Sequence, residues 1–222
     1  MRKLMLLTTV LAGSAVLAFA ANAGPISVRL TSGSTIQNFG PSTTGSLLFN
    51  TSSFANFSLI SGTVTGAGQG NNSTLLDLNS LQVATTTGAP LQIAVTETGL
   101  TSMNTGFVSA IGGTFTSGNG LMFQTYIDAG NAAFATTSLL GSSTFNTGIN
   151  FSNNFAANGV ALPGLFSETI ILTLTPSSGS TTSFDANVSQ NVPAAVPEPF
   201  SLALLGTGLA TFGVFRARSR KA

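Results

Sequence analysis

Histidine, cysteine and tryptophan are absent from this sequence, and tyrosine occurs once. Charged residues make up 6% of its 222 positions, against about 25% in an average soluble protein. Each absence excludes something. Without His or Cys, neither a Ser-His-Asp triad nor a Cys-His pair can be assembled, and most zinc, copper and haem ligation is lost with them. The only lysines are Lys3 and Lys221, both in terminal segments, so the body between them cannot form a Ser-Lys dyad. With no Cys, disulfides say nothing about compartment.

Charge is also missing from the middle of the chain. Between Gly24 and Val196 the only cation is Arg29, against Asp77, Glu97, Asp128, Glu168 and Asp185, a net charge of −4. A nucleic-acid surface needs clustered Lys and Arg to displace counterions, so nucleic acid is excluded as a partner. Low charge alone would suit disorder, but a hydrophobic content of 43% and 17 Phe argue for a packed core.

What is present is concentrated first at the ends. Arg2 and Lys3 precede an apolar stretch from Leu4 to Phe19, and Ala21-Asn22-Ala23 follows. A short cationic start, an apolar centre and a small-x-small site make a secretory signal peptide over residues 1–23, cut after Ala23, with Ala18-Phe19-Ala20 as a second site three residues earlier. Ala21 and Ala23 are the cleavage residues, because the peptidase pocket accepts only small side chains there.

At the other end, residues 191–199 hold Pro193, Pro197 and Pro199, which cannot join a helix and bias the chain to extended forms. Residues 200–215 (FSLALLGTGLATFGVF) carry no charge. As a helix these 16 residues span roughly 24 Å, short of the ~30 Å hydrocarbon core, a deficit that snorkelling cations and local thinning cover. Residues 216–222 then carry Arg216, Arg218, Arg220 and Lys221 as a stop-transfer cluster. The positive-inside rule holds both cationic ends in the cytoplasm and puts everything between them across the membrane.

This tail resembles the PEP-CTERM sorting domain of exported proteins of Gram-negative bacteria. The residues that carry the resemblance are Val196-Pro197-Glu198-Pro199, Leu202-Ala203-Leu204-Leu205-Gly206 and the Arg-rich end. Thr207 and Thr211 make the span less apolar than is usual in that family. The resemblance implies passage across the inner membrane, transient anchoring there, and recognition of Pro197, Glu198 and Pro199 by an exosortase-type transpeptidase, which frees the body to the cell surface or medium. It also implies association with biofilm or exopolysaccharide matrix.

The body, residues 24–190, is rich in Gly, Ser, Thr and Asn and alternates with a period of two. Leu91, Ile93 and Val95 share one face; Ile170, Leu172 and Leu174 share another; Leu121, Phe123, Thr125 and Ile127 share a third. Further strands are expected over Ile26–Leu30, Phe54–Val64, Leu75–Val83, Phe107–Thr116, Phe134–Leu140 and Phe184–Val188, with Gly- and Asn-rich turns between them. The predicted fold is all-β: an antiparallel sandwich or barrel-like body between a signal helix and a C-terminal transmembrane helix. The Phe residues of the body are expected in its core.

No catalytic residue, metal ligand or cofactor site is predicted. The five body acids stand apart in sequence, so no carboxylate pair of the kind that hydrolyses glycosides is expected. Asp128-Ala129-Gly130-Asn131 could offer oxygens to calcium but lacks acid density, and reads as a turn. The expected function is a noncatalytic surface or matrix protein; the alternatives are a ligand-binding or adhesin module and, behind it, a carboxylate-dependent hydrolase. Signal peptidase, the transpeptidase and the inner membrane are the expected partners. Extracellular polysaccharide and the chain itself, through β-prone segments such as Leu91–Thr96 and Ile170–Thr175 with no Lys to guard them, remain open.

Overall fold

The computed structural model describes residues 24–67, 75–101, 106–116 and 118–190. The signal and sorting segments, with Ala21, Ala23, Pro197, Glu198, Pro199 and the Arg216–Lys221 cluster, lie outside the described residues.

The described chain is all strand, with no helix. The first five strands are β1 (Ile26–Ser32), β2 (Thr35–Ser42), β3 (Ser46–Thr51), β4 (Phe57–Thr65) and β5 (Leu75–Thr85). β6 (Leu91–Thr101), β7 (Phe107–Phe115), β8 (Gly120–Asp128) and β9 (Ser138–Phe145) follow. β10 (Asn150–Ala157), β11 (Leu165–Thr175) and β12 (Thr181–Gln190) complete the set. They form two six-stranded sheets, A in the order β2-β1-β6-β11-β8-β9 and B in the order β10-β7-β12-β5-β4-β3. Every pairing is antiparallel. Of the two predicted architectures, the open two-sheet sandwich is the one formed.

The alternation seen in sequence is the packing of these sheets. Leu91, Ile93 and Val95 of β6 and Ile170, Leu172 and Leu174 of β11 all sit in the core, as do Leu121 and Phe123 of β8 and Phe184, Ala186 and Val188 of β12. In β5 the phase slips. Leu76 and Leu78 point inward, and so do Leu81 and Val83, one residue out of step. A bulge absorbs the extra residue: Ser80 takes φ 53, the register with β12 shifts between Phe184 and Ala186, and the Asp185 carboxylate accepts the freed Ser80 N–H.

The structure departs from the expected strands at the sheet edges and places the β-prone segments inside sheet A. Phe134–Leu140 is not one strand: Phe134 takes φ 59 in the loop before β9 and lies under the Arg29 guanidinium, 4.0 Å from its ring centre. β2, β3 and β10 were not read from sequence, and all three lie at sheet edges. Leu91–Thr96 and Ile170–Thr175 belong to β6 and β11, neighbours inside sheet A that are paired on both sides. They have no free edge for strand-on-strand association in the folded state.

Phe151 ties edge strand β10 to the core. Its ring lies 4.9 Å from Phe145, 5.1 Å from Phe115 and 6.3 Å from Phe184. Phe151→Ala is expected to lower stability by about 3–5 kcal/mol, read as a shift of the urea midpoint. A shift below a quarter of that would mean that β10 is held by its ladder and not by this ring.

Candidate functional site

Two features stand out: a polar layer inside the sandwich and an open groove outside it. The layer arises where four inward-facing rows of apolar residues are interrupted in phase. On β6, Glu97 follows Val95; on β11, Glu168 precedes Ile170; on β8, Thr125 lies between Phe123 and Ile127; on β7, Ser109 lies between Phe107 and Ile111. All four polar residues are buried. They separate the main core from a smaller cluster of Ala67, Leu100, Phe107, Ile127 and Phe166. The Ser109 and Thr125 hydroxyls bond across the two sheets at 2.8 Å. Gln190, also buried, closes this end from β12.

Glu97 and Glu168 are direct cross-strand partners, both with 0% exposure. The five acids are therefore not all dispersed, as their spacing had suggested; the β6–β11 register brings these two together. Burial pushes the Glu97 pKa up to about 7, against backbone N–H groups of Ala67 and Gly24 that favour its ionised form. Ala67 N–H donates to Glu97 Oε2 at 3.0 Å, while Glu97 Oε1 is buried without a hydrogen-bond partner. No substrate can reach a fully covered pair, so it does not make the cleft that a glycoside hydrolase needs.

The remaining acids are engaged in structure. Asp128 Oδ2 accepts from Ala132 N–H at 2.8 Å and Oδ1 from the Thr137 hydroxyl at 2.7 Å. These bonds, the Ala132 one first, lower its pKa. Asn131 Oδ1 accepts from Gly99 N–H at 2.6 Å. The Asp128–Asn131 oxygens thus pin a turn against β6. Asp77, its pKa raised by burial first and by nearby Asp185 in a smaller part, accepts from Asn79 Nδ2 at 2.9 Å. Among the described residues, no three Asp, Glu, His or Cys side chains gather in a way that could hold a metal.

The two outer faces differ. On sheet A the β8–β9 loop lies over the strands: Ser167 donates to Ala132 O at 2.8 Å, Phe134 stacks under Arg29, and Ala94, Thr96, Ser167 and Thr169 are buried beneath. On sheet B no described outward-facing residue is buried. Across that face runs a groove of about 550 Å³. Gln82, Thr114, Asn150, Thr181 and Ser183 supply amides and hydroxyls to its lining, Leu59 and Ile149 supply apolar surface, and no titratable side chain contributes. This groove was not legible in the sequence because its lining comes from β4, β5, β7, β12 and the start of β10, which only the sheet pairing brings side by side.

No protein-family model and no curated protein matches this sequence. Among solved structures the chain is similar to TmCBM61 in complex with β-1,4-galactotriose, at 7% identity and TM-score 0.39, over 74% of this chain and 88% of that one. It is similar to CBM29_1, a family 29 carbohydrate-binding module from Piromyces equi, at 14% identity and TM-score 0.34, over 75% and 90%. It is also similar to the adhesin domain of Epf from Streptococcus pyogenes, at 12% identity and TM-score 0.36, over 77% and 61%.

Proposed function

We propose that this chain is exported, sorted by its Pro197-Glu198-Pro199 tail, and displayed as a noncatalytic β-sandwich that binds an extracellular polysaccharide along the outer face of sheet B. The observation that carries the binding site is the asymmetry of the sandwich. Sheet A is roofed by its own loop, whereas sheet B keeps an open, largely apolar groove that is edged by hydroxyls and amides and free of charge. Such groups exchange hydrogen bonds with sugar hydroxyls, and Leu59 and Ile149 offer apolar ground for the C–H faces of the rings. The groove offers no carboxylate, imidazole or amine, so it has the means to bind and none to cleave. The lack of Trp, and a Tyr126 that points from sheet A, deny it the stacking that strengthens sugar binding. Each site is accordingly weak, and display of many copies at a surface supplies the avidity.

The test is retardation of the exported protein in gels that contain exopolysaccharide from its own host. Gln82 and Asn150 are exposed, so the double variant Gln82→Ala, Asn150→Ala leaves the core untouched. Loss of two hydrogen bonds is expected to weaken binding by roughly tenfold or more. Equal retardation of parent and variant would exclude the groove, and no retardation in any polysaccharide would leave a purely structural surface protein.

A further inference from the structure

The buried Glu97 carboxyl lies against Gly24, the first residue after the proposed signal cleavage. We propose that this carboxyl is a built seat for the new N-terminus: cleavage after Ala23 turns the Gly24 amide into an α-ammonium that pairs with Glu97, so that export processing completes the fold. The inference rests on the export proposal above, and the geometry comes from the sandwich itself.

Gly24 is buried, and its N–H points at the Glu97 carboxyl together with that of Ala67. β1 and β6 hold the two in place, with Ile26 opposite Glu97 in the ladder and Thr98 N–H donating to Pro25 O at 3.2 Å. Only glycine fits here. A Cβ on Gly24 would lie 1.5 Å from Thr98 O and 3.3 Å from Glu97 Cγ. A Cβ on Gly66, on the other side, would lie 2.6 Å from the Glu97 carboxyl. The peptidase reads Ala21 and Ala23, on the far side of the scissile bond, so the glycine at position 24 is explained by the close approach of the chain to the β6 backbone at Thr98, beside Glu97, and not by the enzyme.

The chemistry of the seat calls for a cation. Glu97 Oε1 is buried with no partner, and an amide has one N–H to give where an ammonium has three. The ladder sets Glu168 of β11 and Ile26 of β1 opposite Glu97, and neutral Gln190 and the apolar Phe107 and Ile127 are buried at the same end of the sandwich. Arg29, the only cation among the described residues, points out of the other face of sheet A over Phe134. A buried carboxylate without a counter-charge is costly, and hydrolysis of the Ala23–Gly24 bond creates a counter-charge at the site. Water adds across that amide, the carboxylate leaves with the signal peptide, and the amine that remains takes up a proton.

The experiment uses the full chain, exported and processed by its host, beside a chain with Ala-Ser inserted between Ala23 and Gly24. The peptidase site is the same in both, but the insertion carries the ammonium two residues away from Glu97. N-terminal sequencing first reports the cut: an intact Met1 in the parent overturns the export proposal on which the seat depends, and a cut elsewhere, such as after Ala20, overturns the seat and leaves export intact. With the cut confirmed, the parent is expected to have a folded-to-unfolded ratio at pH 7 at least about tenfold above that of the insertion chain. Its amine is expected to react with an acylating reagent at least about tenfold more slowly, since a buried amine is reached only on local opening. Glu97→Gln in both chains should erase the stability difference. Equal stability and equal amine reactivity of parent and insertion chain would overturn the seat while leaving export intact.

Discussion

In a chain whose position 24 is still an amide, raising the pH from 5 to 8 is expected to weaken the sandwich. For Glu97 the folded pKa is about 7 against an ordinary 4.5. Below pH 4.5 the group is protonated in both states and contributes nothing to the difference. Between 4.5 and 7 the unfolded chain releases this proton and the folded chain holds it, so stability falls as the pH rises. Above 7 the loss is complete, about 3 kcal/mol for a gap of this size. The sign is opposite to that of carboxylates held by hydrogen bonds or cations, whose pKa is lowered and which gain from ionisation. Asp128, whose pKa is lowered by the Ala132 and Thr137 bonds, acts in the usual sense: its contribution is present above pH 3.8 and is lost as the pH falls. Urea titrations of the Ala-Ser insertion chain at pH 5, 6, 7 and 8 would show the decline, and Glu97→Gln should flatten it. A flat profile in the insertion chain would mean that water reaches the carboxyl.

The largest effect on location is expected from the sorting motif. Pro197→Ala together with Pro199→Ala should leave most of the protein uncut in the membrane fraction while the parent is released. The prolines hold the recognition stretch extended before the transpeptidase meets it, so their loss adds an ordering cost to binding and frees the segment to join the following helix. Fractionation followed by intact mass of the released protein checks both points. Equal release of variant and parent would remove the transpeptidase from the proposed route and leave an ordinary tail anchor.

The strands that were legible in the sequence are those near the middle of the sheets. β6, β11, β8 and β12 each have neighbours on both sides and a core beneath, so every second residue must be apolar and the period shows. The edge strands were the ones missed or misplaced. β10 (NFSNNFAA) and β2 (TIQNFGPS) are largely exposed, β3 has six residues, and β9 begins four residues after Phe134, where the pattern of apolar residues predicts its start. Where burial covers a few positions only, polar residues are tolerated almost anywhere and the alternation fades.

The acids show the same boundary more sharply. Glu97 stands in phase with Leu91, Ile93 and Val95, and Glu168 in phase with Ile170, Leu172 and Leu174. That each points inward could be read by counting in twos. That they face each other could not, because the β6–β11 register joins residues 71 positions apart, and nothing local to either strand specifies its partner. By itself the sequence determined the strand class, the inward faces of the central strands and the chemistry that the body lacks, since composition and a period of two are local properties. The tertiary structure alone decided which strands became edges, which outer face was roofed and which left open, and that Gly24 would meet Glu97, because each of these depends on pairings between distant segments.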